Sequence, residues 1–228
     1  MKENKILLLG SSGQLGQSIK GLLEEKCILK EINRPQLDFE DSKDIKRRIL
    51  KFNPTVIINS SAYTSVDLAE NNQKEAEIAN CLGPSLLAEI SKDLGSLLIH
   101  YSTDYVFDGK KSSAYKETDE CNPINYYGKT KRDGEIAVLE SNCRSLIIRT
   151  SWVYSHFRNN FLLTMLKLAM SKKEIKVIND QFGSPTSTKQ VALATLDLLD
   201  NYLKGDLNDL GLFHFSSLGK TSWYEFAK

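Results

Sequence analysis

Lys5-Ile6-Leu7-Leu8-Leu9-Gly10-Ser11-Ser12-Gly13-Gln14-Leu15-Gly16 is the stretch on which the fold turns. An apolar run of strand character leads straight into Gly-x-x-Gly-x-x-Gly, and the residues beyond Gln14 take helical spacing. Gly10 permits a sharp turn, Gly13 lets a pyrophosphate approach backbone N–H groups at the positive end of the helix, and Gly16 allows the helix to pack close to the strand. The spacing predicts a dinucleotide-binding turn. A flexible surface loop is the plainer alternative, and the position directly after the first strand argues against it.

Outward from this stretch, short β-rich runs alternate with longer helical segments. Strands are expected at 5–9, 28–32, 55–59, 96–102, 145–150, 175–178 and 212–216, and helices at 14–26, 41–51, 72–94, 126–139, 160–170 and 187–203. Val56-Ile57-Ile58 and Leu97-Leu98-Ile99 are apolar on both faces, which suits strands covered by helices above and below. With right-handed crossovers the result is an α/β fold, a Rossmann-type doubly wound parallel sheet. Residues 1–150 are expected to form the NAD(P)-binding part, and residues 151–228 a small, partial substrate lobe packed on it as one structural unit. Residues 222–228 read as the first turns of an amphipathic helix too short to hold itself in water, so a truncated chain is expected.

Composition narrows the function. The chain has 228 residues, 41% hydrophobic and 26% charged, which excludes a disordered polymer. Lys plus Arg total 30 against 29 for Asp plus Glu, so the basic excess that nucleic-acid binding needs is missing. Cys27, Cys81, Cys121 and Cys143 lie 54, 40 and 22 residues apart, with no chelating pair, so they read as reduced thiols and no metal is expected. No apolar run approaches the ~20 residues of a membrane helix, and the polar start lacks a secretory signal. A cytoplasmic protein with neither membrane nor nucleic-acid partner is expected.

Asn33 and Arg34 close the second strand, followed by Asp38 and Phe39. An acidic group there would bond the ribose hydroxyls of NADH, whereas an arginine would accept the extra phosphate of NADPH. Arg34 tips the reading toward NADPH, with a solvated surface arginine as the alternative. The fourth strand runs into His100-Tyr101-Ser102-Thr103-Asp104-Tyr105, and ligands of such sheets bind at these strand ends. Tyr127 and Lys131 follow 24 and 28 residues after Thr103, four apart on a helix and so on one face. The ammonium is expected to favour the phenolate and bring a pKa of about 10 toward neutrality, a shift of about 4 kcal/mol. That would make Tyr127 a general acid, with the Thr103 hydroxyl beside it. Alone, such a pair is an exposed helix face; the glycine loop and Thr103 supply the context.

The glycine loop with Thr103, Tyr127 and Lys131 resembles the extended short-chain dehydrogenase/reductases. Residues 59–70 (NSSAYTSVDLAE), 101–109 (YSTDYVFDG), 125–135 (NYYGKTKRDGE), 149–154 (RTSWVY) and 180–186 (DQFGSPT) are similar to the dTDP-4-dehydrorhamnose reductase family across essentially the whole chain. The resemblance implies reduction of the 4-keto group of dTDP-4-dehydro-L-rhamnose by NADPH or NADH. By it, Tyr127 protonates the carbonyl oxygen, Lys131 holds the nicotinamide ribose and Thr103 bonds the reacting oxygen. Gly10, Gly13, Gln14 and Leu15 take the pyrophosphate, Asp38 and Phe39 the adenine end, and Ala62, Tyr63 and Thr64 the middle of the cofactor. Asp104, Tyr105 and Trp152 meet the sugar, with core packing the alternative for Trp152. His100 reads as a core residue, and His156 and His214 carry no signal.

Two departures from the family stand out. Acidic groups that bridge magnesium at a dimer interface in some members are replaced by Ser18 and Lys189, so a homodimer of that type is not expected. Ser60 and Ser61 replace the usual alanines. Two rival readings remain open at this point: a nucleotide-sugar epimerase or dehydratase, and a non-catalytic NADP-binding subunit similar to the β-subunit of methionine adenosyltransferase. Dehydratases of this group place Asp-Glu after the threonine, whereas this chain has Asp104-Tyr105.

Overall fold

The first strand carries no side chain that water could hold beyond Lys5, and it lies inside the sheet. In the computed structural model, which describes residues 1–207 and 210–228, β1 (Lys5–Leu9) is flanked by β2 (Ile28–Ile32) on one side and β3 (Val56–Asn59) on the other. The chain continues outward through β4 (Leu97–Thr103) and β5 (Ser145–Thr150). The order changes direction between β1 and β3, which opens a crevice at the carboxyl ends of these strands.

Two apolar layers enclose the sheet, as period-two alternation in doubly covered strands requires. On one face Ile6, Leu8, Val56, Ile58, Ile99 and Ile148 pack against Ile19 and Leu23 of α1 (Gln14–Leu23). On the other, Leu7, Leu9, Ile57, Leu98 and Ile147 meet Ile45 and Ile49 of α2 (Ser42–Phe52). After β3 come α3 (Val66–Ala69), α4 (Gln73–Glu77), a π turn at Ile78–Leu82 and α5 (Gly83–Leu94), so the helix expected at 72–94 carries a bulge in its middle. After β4 a single 3-10 turn at Asp104–Val106 precedes a loop, and α6 (Tyr126–Glu140) leads back to β5. Asn125 caps α6, accepting from Gly128 N at 2.7 Å.

The last third of the chain is shared between the sheet and the small lobe. β6 (Val153–Tyr154), α7 (Phe161–Ala169), β7 (Phe182–Gly183) and β8 (Thr186–Ser187) are short, and α8 (Thr188–Lys204) returns to lie on α1 through Val191, Leu196 and Leu199. β9 (Gly211–His214) then joins the sheet beside β5, giving the all-parallel order β2-β1-β3-β4-β5-β9. β10 (Thr221–Ser222) pairs with β7, β6 with β8, and α9 (Trp223–Ala227) ends the chain. β9 thus completes the sheet beside β5 and α8 covers it, so residues beyond 150 share the layers of those before it.

The strand expected at 175–178 is not formed. Lys172, Lys173, Glu174 and Lys176 surround Ile175 and Val177, and the segment meets no sheet edge; Tyr224 N donates one bond to Ile178 O at 3.1 Å. Among the described residues no helix is long and apolar enough to cross a membrane.

Candidate active site

The glycine loop is built so that backbone replaces side chain. Gly10 has φ +76°, and a Cβ there would lie 2.7 Å from Ser61 N; a Cβ on Gly16 would lie 2.2 Å from Gly10 O. Both positions therefore require glycine. Gly13 forms the N-cap of α1, a Cβ on it would approach Gly10 O at 3.3 Å, and no side chain caps the helix. The N–H groups of Gln14, Leu15 and Gly16 have no acceptor among the described residues, which suits a phosphate. Leu15 turns its side chain into the core, and Gln14 Oε1 accepts from Ser155 Oγ at 2.9 Å and Asn160 Nδ2 at 3.0 Å.

Asn33 clamps the loop from β2. Its Nδ2 donates to Ser11 Oγ at 2.6 Å, and its Oδ1 accepts from Ser12 N at 3.0 Å. The Ser11 hydroxyl in turn donates to Glu31, whose other oxygen is paired with Lys20 at 2.9 Å. Glu31 was missed in the sequence; its place one residue before the end of the second strand was the signal that could have found it. Arg34 and Asp38 are exposed beyond it, and the half-buried Phe39 ring lies against Gly83, where a Cβ would come within 2.7 Å.

The loop of Ala62, Tyr63 and Thr64 is fixed by Asn80, a buried residue of the π turn that the sequence reading also missed. Tyr63 N donates to Asn80 Oδ1 at 2.9 Å, while Asn80 Nδ2 donates to Tyr63 O at 3.0 Å. No local pattern marks an asparagine for this task; the bulge that turns it inward is a tertiary feature. Ser60 Oγ donates to Leu9 O at 2.7 Å and Ser61 Oγ to Asn59 Oδ1 at 2.6 Å, so both serines brace the loop. His100 is a core residue, its Nδ1 3.2 Å from Asn59 Nδ2, and burial pushes its pKa well below the usual value.

Thr103, Asp104, Tyr105 and Tyr127 meet at the end of β4. A Cβ on Gly128 would lie 2.1 Å from Tyr105 O, so glycine there lets α6 press its first turn on the 3-10 turn. Tyr127 is 8% exposed and packs edge-on to Tyr105, centroids 5.5 Å apart. Thr103 Oγ1 donates to Asp104 Oδ1 at 3.1 Å and accepts from Tyr105 N at 3.2 Å. Burial lifts the Asp104 carboxyl to about 6, against the pull of the Thr103 hydroxyl.

The lowered phenol pKa expected for Tyr127 is corrected by the structure. Burial raises it, with the nearby Asp104 and Tyr105 adding to the rise and a hydrogen bond from Thr103 opposing it. The ammonium of Lys131 is turned under the strand to donate to Tyr101 O at 2.6 Å. Burial lowers Lys131 to about 8, opposed by Glu135 one turn on. Tyr127 therefore holds its proton, as a donor must.

Behind Lys131 lies a buried ion pair. Arg149 of β5 donates from Nε and Nη2 to the two oxygens of Glu135 at 2.7 and 2.6 Å, and Arg132 adds a third bond at 3.1 Å. A lone arginine in the apolar run of β5 was the sequence signal, since a buried guanidinium needs a carboxylate.

Trp152 belongs to neither apolar layer of the sheet. Its backbone takes φ +45°, and its ring is stacked on Trp223, centroids 3.5 Å apart and 6° from parallel. A Cβ on Gly183 would come within 2.3 Å of Trp152 Cε2, so glycine there leaves room for the ring.

Sheet order, glycine cradle and the tyrosine helix define the extended short-chain dehydrogenase/reductase class of nucleotide-dependent oxidoreductases. The chain belongs to the RmlD substrate binding domain family, whose family model matches residues 4–228. It is similar to the dTDP-4-dehydrorhamnose reductase of Aggregatibacter actinomycetemcomitans, 39% identical over 225 residues, 98% of this chain and 76% of that protein. The spore coat polysaccharide biosynthesis protein SpsK of Bacillus subtilis (strain 168) is 38% identical over 224 residues, 98% of this chain and 77% of its own length. Among solved structures, the dTDP-4-dehydrorhamnose reductase of Bacillus anthracis str. Ames in complex with NADP superposes with a TM-score of 0.93 at 34% identity, covering 99% of this chain and 78% of that one.

Proposed function

We propose that this chain reduces the 4-keto group of dTDP-4-dehydro-L-rhamnose to give dTDP-L-rhamnose, with NADPH or NADH as reductant. The observation that carries the reading is a buried Tyr127, its pKa raised by that burial, beside Thr103 at the strand ends next to a bare glycine cradle. The cofactor would rest its pyrophosphate in the cradle of Gly10, Gly13, Gln14, Leu15 and Gly16, on the N–H groups of the last three, since Gly10 N and Gly13 N already bond Ile32 O and Gly10 O. Asn33, Arg34, Asp38 and Phe39 would meet its adenosine end, Ala62, Tyr63 and Thr64 its middle, and Tyr127 and Lys131 its nicotinamide ribose. Bound there, it supplies the hydride.

The chain's own groups do the rest. Tyr127 gives its phenolic proton to the carbonyl oxygen, completing the alcohol, and Thr103 hydrogen-bonds that oxygen as charge develops on it. Lys131, charged below about 8, holds ribose hydroxyls. Asp104 and Tyr105 receive sugar hydroxyls, and Trp152 would meet the 6-deoxy carbon with the part of its ring that Trp223 and Gly183 leave uncovered. In this reading residues 1–150 hold the cofactor, residues 151–228 contribute to the sugar site, and the reaction belongs to the cytoplasm. Self-association would proceed without a bridging magnesium, because Ser18 Oγ lies 2.7 Å from Thr188 Oγ1 as a neutral pair and Lys189 follows it. The turn after Thr103 lacks the glutamate of the dehydratase reading, and the epimerase and regulatory-subunit readings gain no observation of their own.

The test follows NADPH absorbance with this chain and dTDP-4-dehydro-L-rhamnose, alongside cofactor binding by nicotinamide fluorescence. Sugar-dependent oxidation is expected; cofactor binding without oxidation would refute the reductase reading for this chain.

A further inference from the structure

Arg158 has no part in the site described so far, yet it lies against the glycine loop. It comes from the segment after β6, and its Nε donates to Ser12 O at 2.9 Å across 146 residues of sequence. Its Nη groups make no hydrogen bond or ion pair among the described residues, and the side chain is exposed. The backbone at Arg158 takes φ +57°, a left-handed conformation uncommon for a non-glycine residue. That conformation is held from two sides, because Ser155 Oγ and Asn160 Nδ2 both bond Gln14 Oε1 at the start of α1. A bent segment is thus pinned to the glycine loop with one guanidinium edge anchored and the other unclaimed.

Ser12 ties that guanidinium to two elements: its carbonyl, which Arg158 holds, also accepts from Gln17 Nε2 of α1 at 3.1 Å, and its N–H bonds Asn33 Oδ1 at the end of β2, where Arg34 follows. In a dinucleotide fold this is the side of the adenosine ribose. Glu31, the β2 carboxylate at this corner, is paired with Lys20 and accepts from Ser11, so its charge is partly offset.

We infer that Arg158 and Arg34 together clamp the 2′-phosphate of NADPH, so that the small lobe as well as the β2 loop selects the cofactor. This rests on the cofactor site proposed above. A fork of guanidinium N–H groups suits a dianionic phosphate, and an anchored arginine gives up less freedom on binding than a free one.

The test titrates parent, Arg158→Ala and Arg158→Lys with NADPH and NADH by nicotinamide fluorescence. Adenosine 2′,5′-bisphosphate and adenosine 5′-monophosphate serve as competitors. Arg158→Ala is expected to weaken NADPH and the bisphosphate by about tenfold, the scale of a charged hydrogen bond, while NADH and the monophosphate change less than twofold. Arg158→Lys keeps the charge without the fork and should fall between. Unchanged NADH affinity also reports that the variant is folded. Equal losses for NADPH and NADH, or no loss for NADPH, would overturn the assignment while leaving the cofactor site intact. A parent that bound neither nucleotide would overturn both.

Discussion

Gly128→Ala is the most direct probe of how the tyrosine is placed. The added Cβ would lie 2.1 Å from Tyr105 O, and an ordinary contact begins at 3.4 Å, so the first turn of α6 must retreat by about 1.3 Å. The opposing atom is backbone, in the 3-10 turn that follows the buried strand β4, and cannot swing aside as a side chain would. Overpacking of this kind costs roughly 1–3 kcal/mol of stability. Its effect on chemistry is larger in proportion, since Tyr127 precedes the substituted residue and moves with it; a displacement near 1 Å costs on the order of 100-fold in turnover. The assay is NADPH oxidation under saturating sugar, with denaturant unfolding in parallel. Gly21→Ala is the control: nothing lies within 4 Å of its Cβ, and the site is an exposed helix interior. It should stabilise by roughly 0.5–1 kcal/mol and leave turnover alone. Full activity in Gly128→Ala would refute the argument that this glycine sets the position of the acid.

Other substitutions test the chemistry and the buried charges. Tyr127→Phe should leave NADPH affinity within about twofold and cut turnover by about 100-fold or more, the scale of a lost general acid; equal turnover in both proteins would dismiss the assigned donor. Lys131 has a folded pKa of about 8 against 10.5, so below pH 8 its charge destabilises the fold, and stability recovers as pH rises from about 8 to 10.5. Lys131→Met should therefore stabilise at pH 7, by up to roughly 3 kcal/mol less the bond to Tyr101, with the gain shrinking through that window. A gain independent of pH in chemical unfolding would contradict it. Glu135→Leu strands the buried Arg149 and should cost about 3–5 kcal/mol, whereas adding Arg149→Met should restore much of that loss. Additive losses in the double variant would show that the pair is not one unit.

What the sequence disclosed was local. The glycine loop could be read because each glycine answers a short-range demand, and the strands of the sheet because residues apolar on both faces leave few alternatives. The expected strand at 175–178 failed because β structure exists only with a neighbour, and propensity does not say whether an edge is within reach. The spacing of Tyr127 and Lys131 placed them on one helix but did not fix where the ammonium points; Tyr101 O, from β4, decides that. Asn80 and the Glu135–Arg149 pair belong to the same kind of information, set by which helix lies over which strand. Trp152 was read as either core or sugar contact, and its partner Trp223 lies 71 residues away in the chain.

That stack makes the molecule its own reporter. Trp152 and Trp223 are the two tryptophans of the whole chain, and they lie face to face, so indole emission originates in the small lobe and the sheet contributes none. Coupled rings this close should give a paired signal in near-ultraviolet circular dichroism that vanishes when either swings away. Heating while watching indole light and far-ultraviolet dichroism together therefore compares two regions without any label. Superimposed curves would mean that lobe and sheet melt as one body, and an earlier loss of the indole signal would mean that the lobe loosens first.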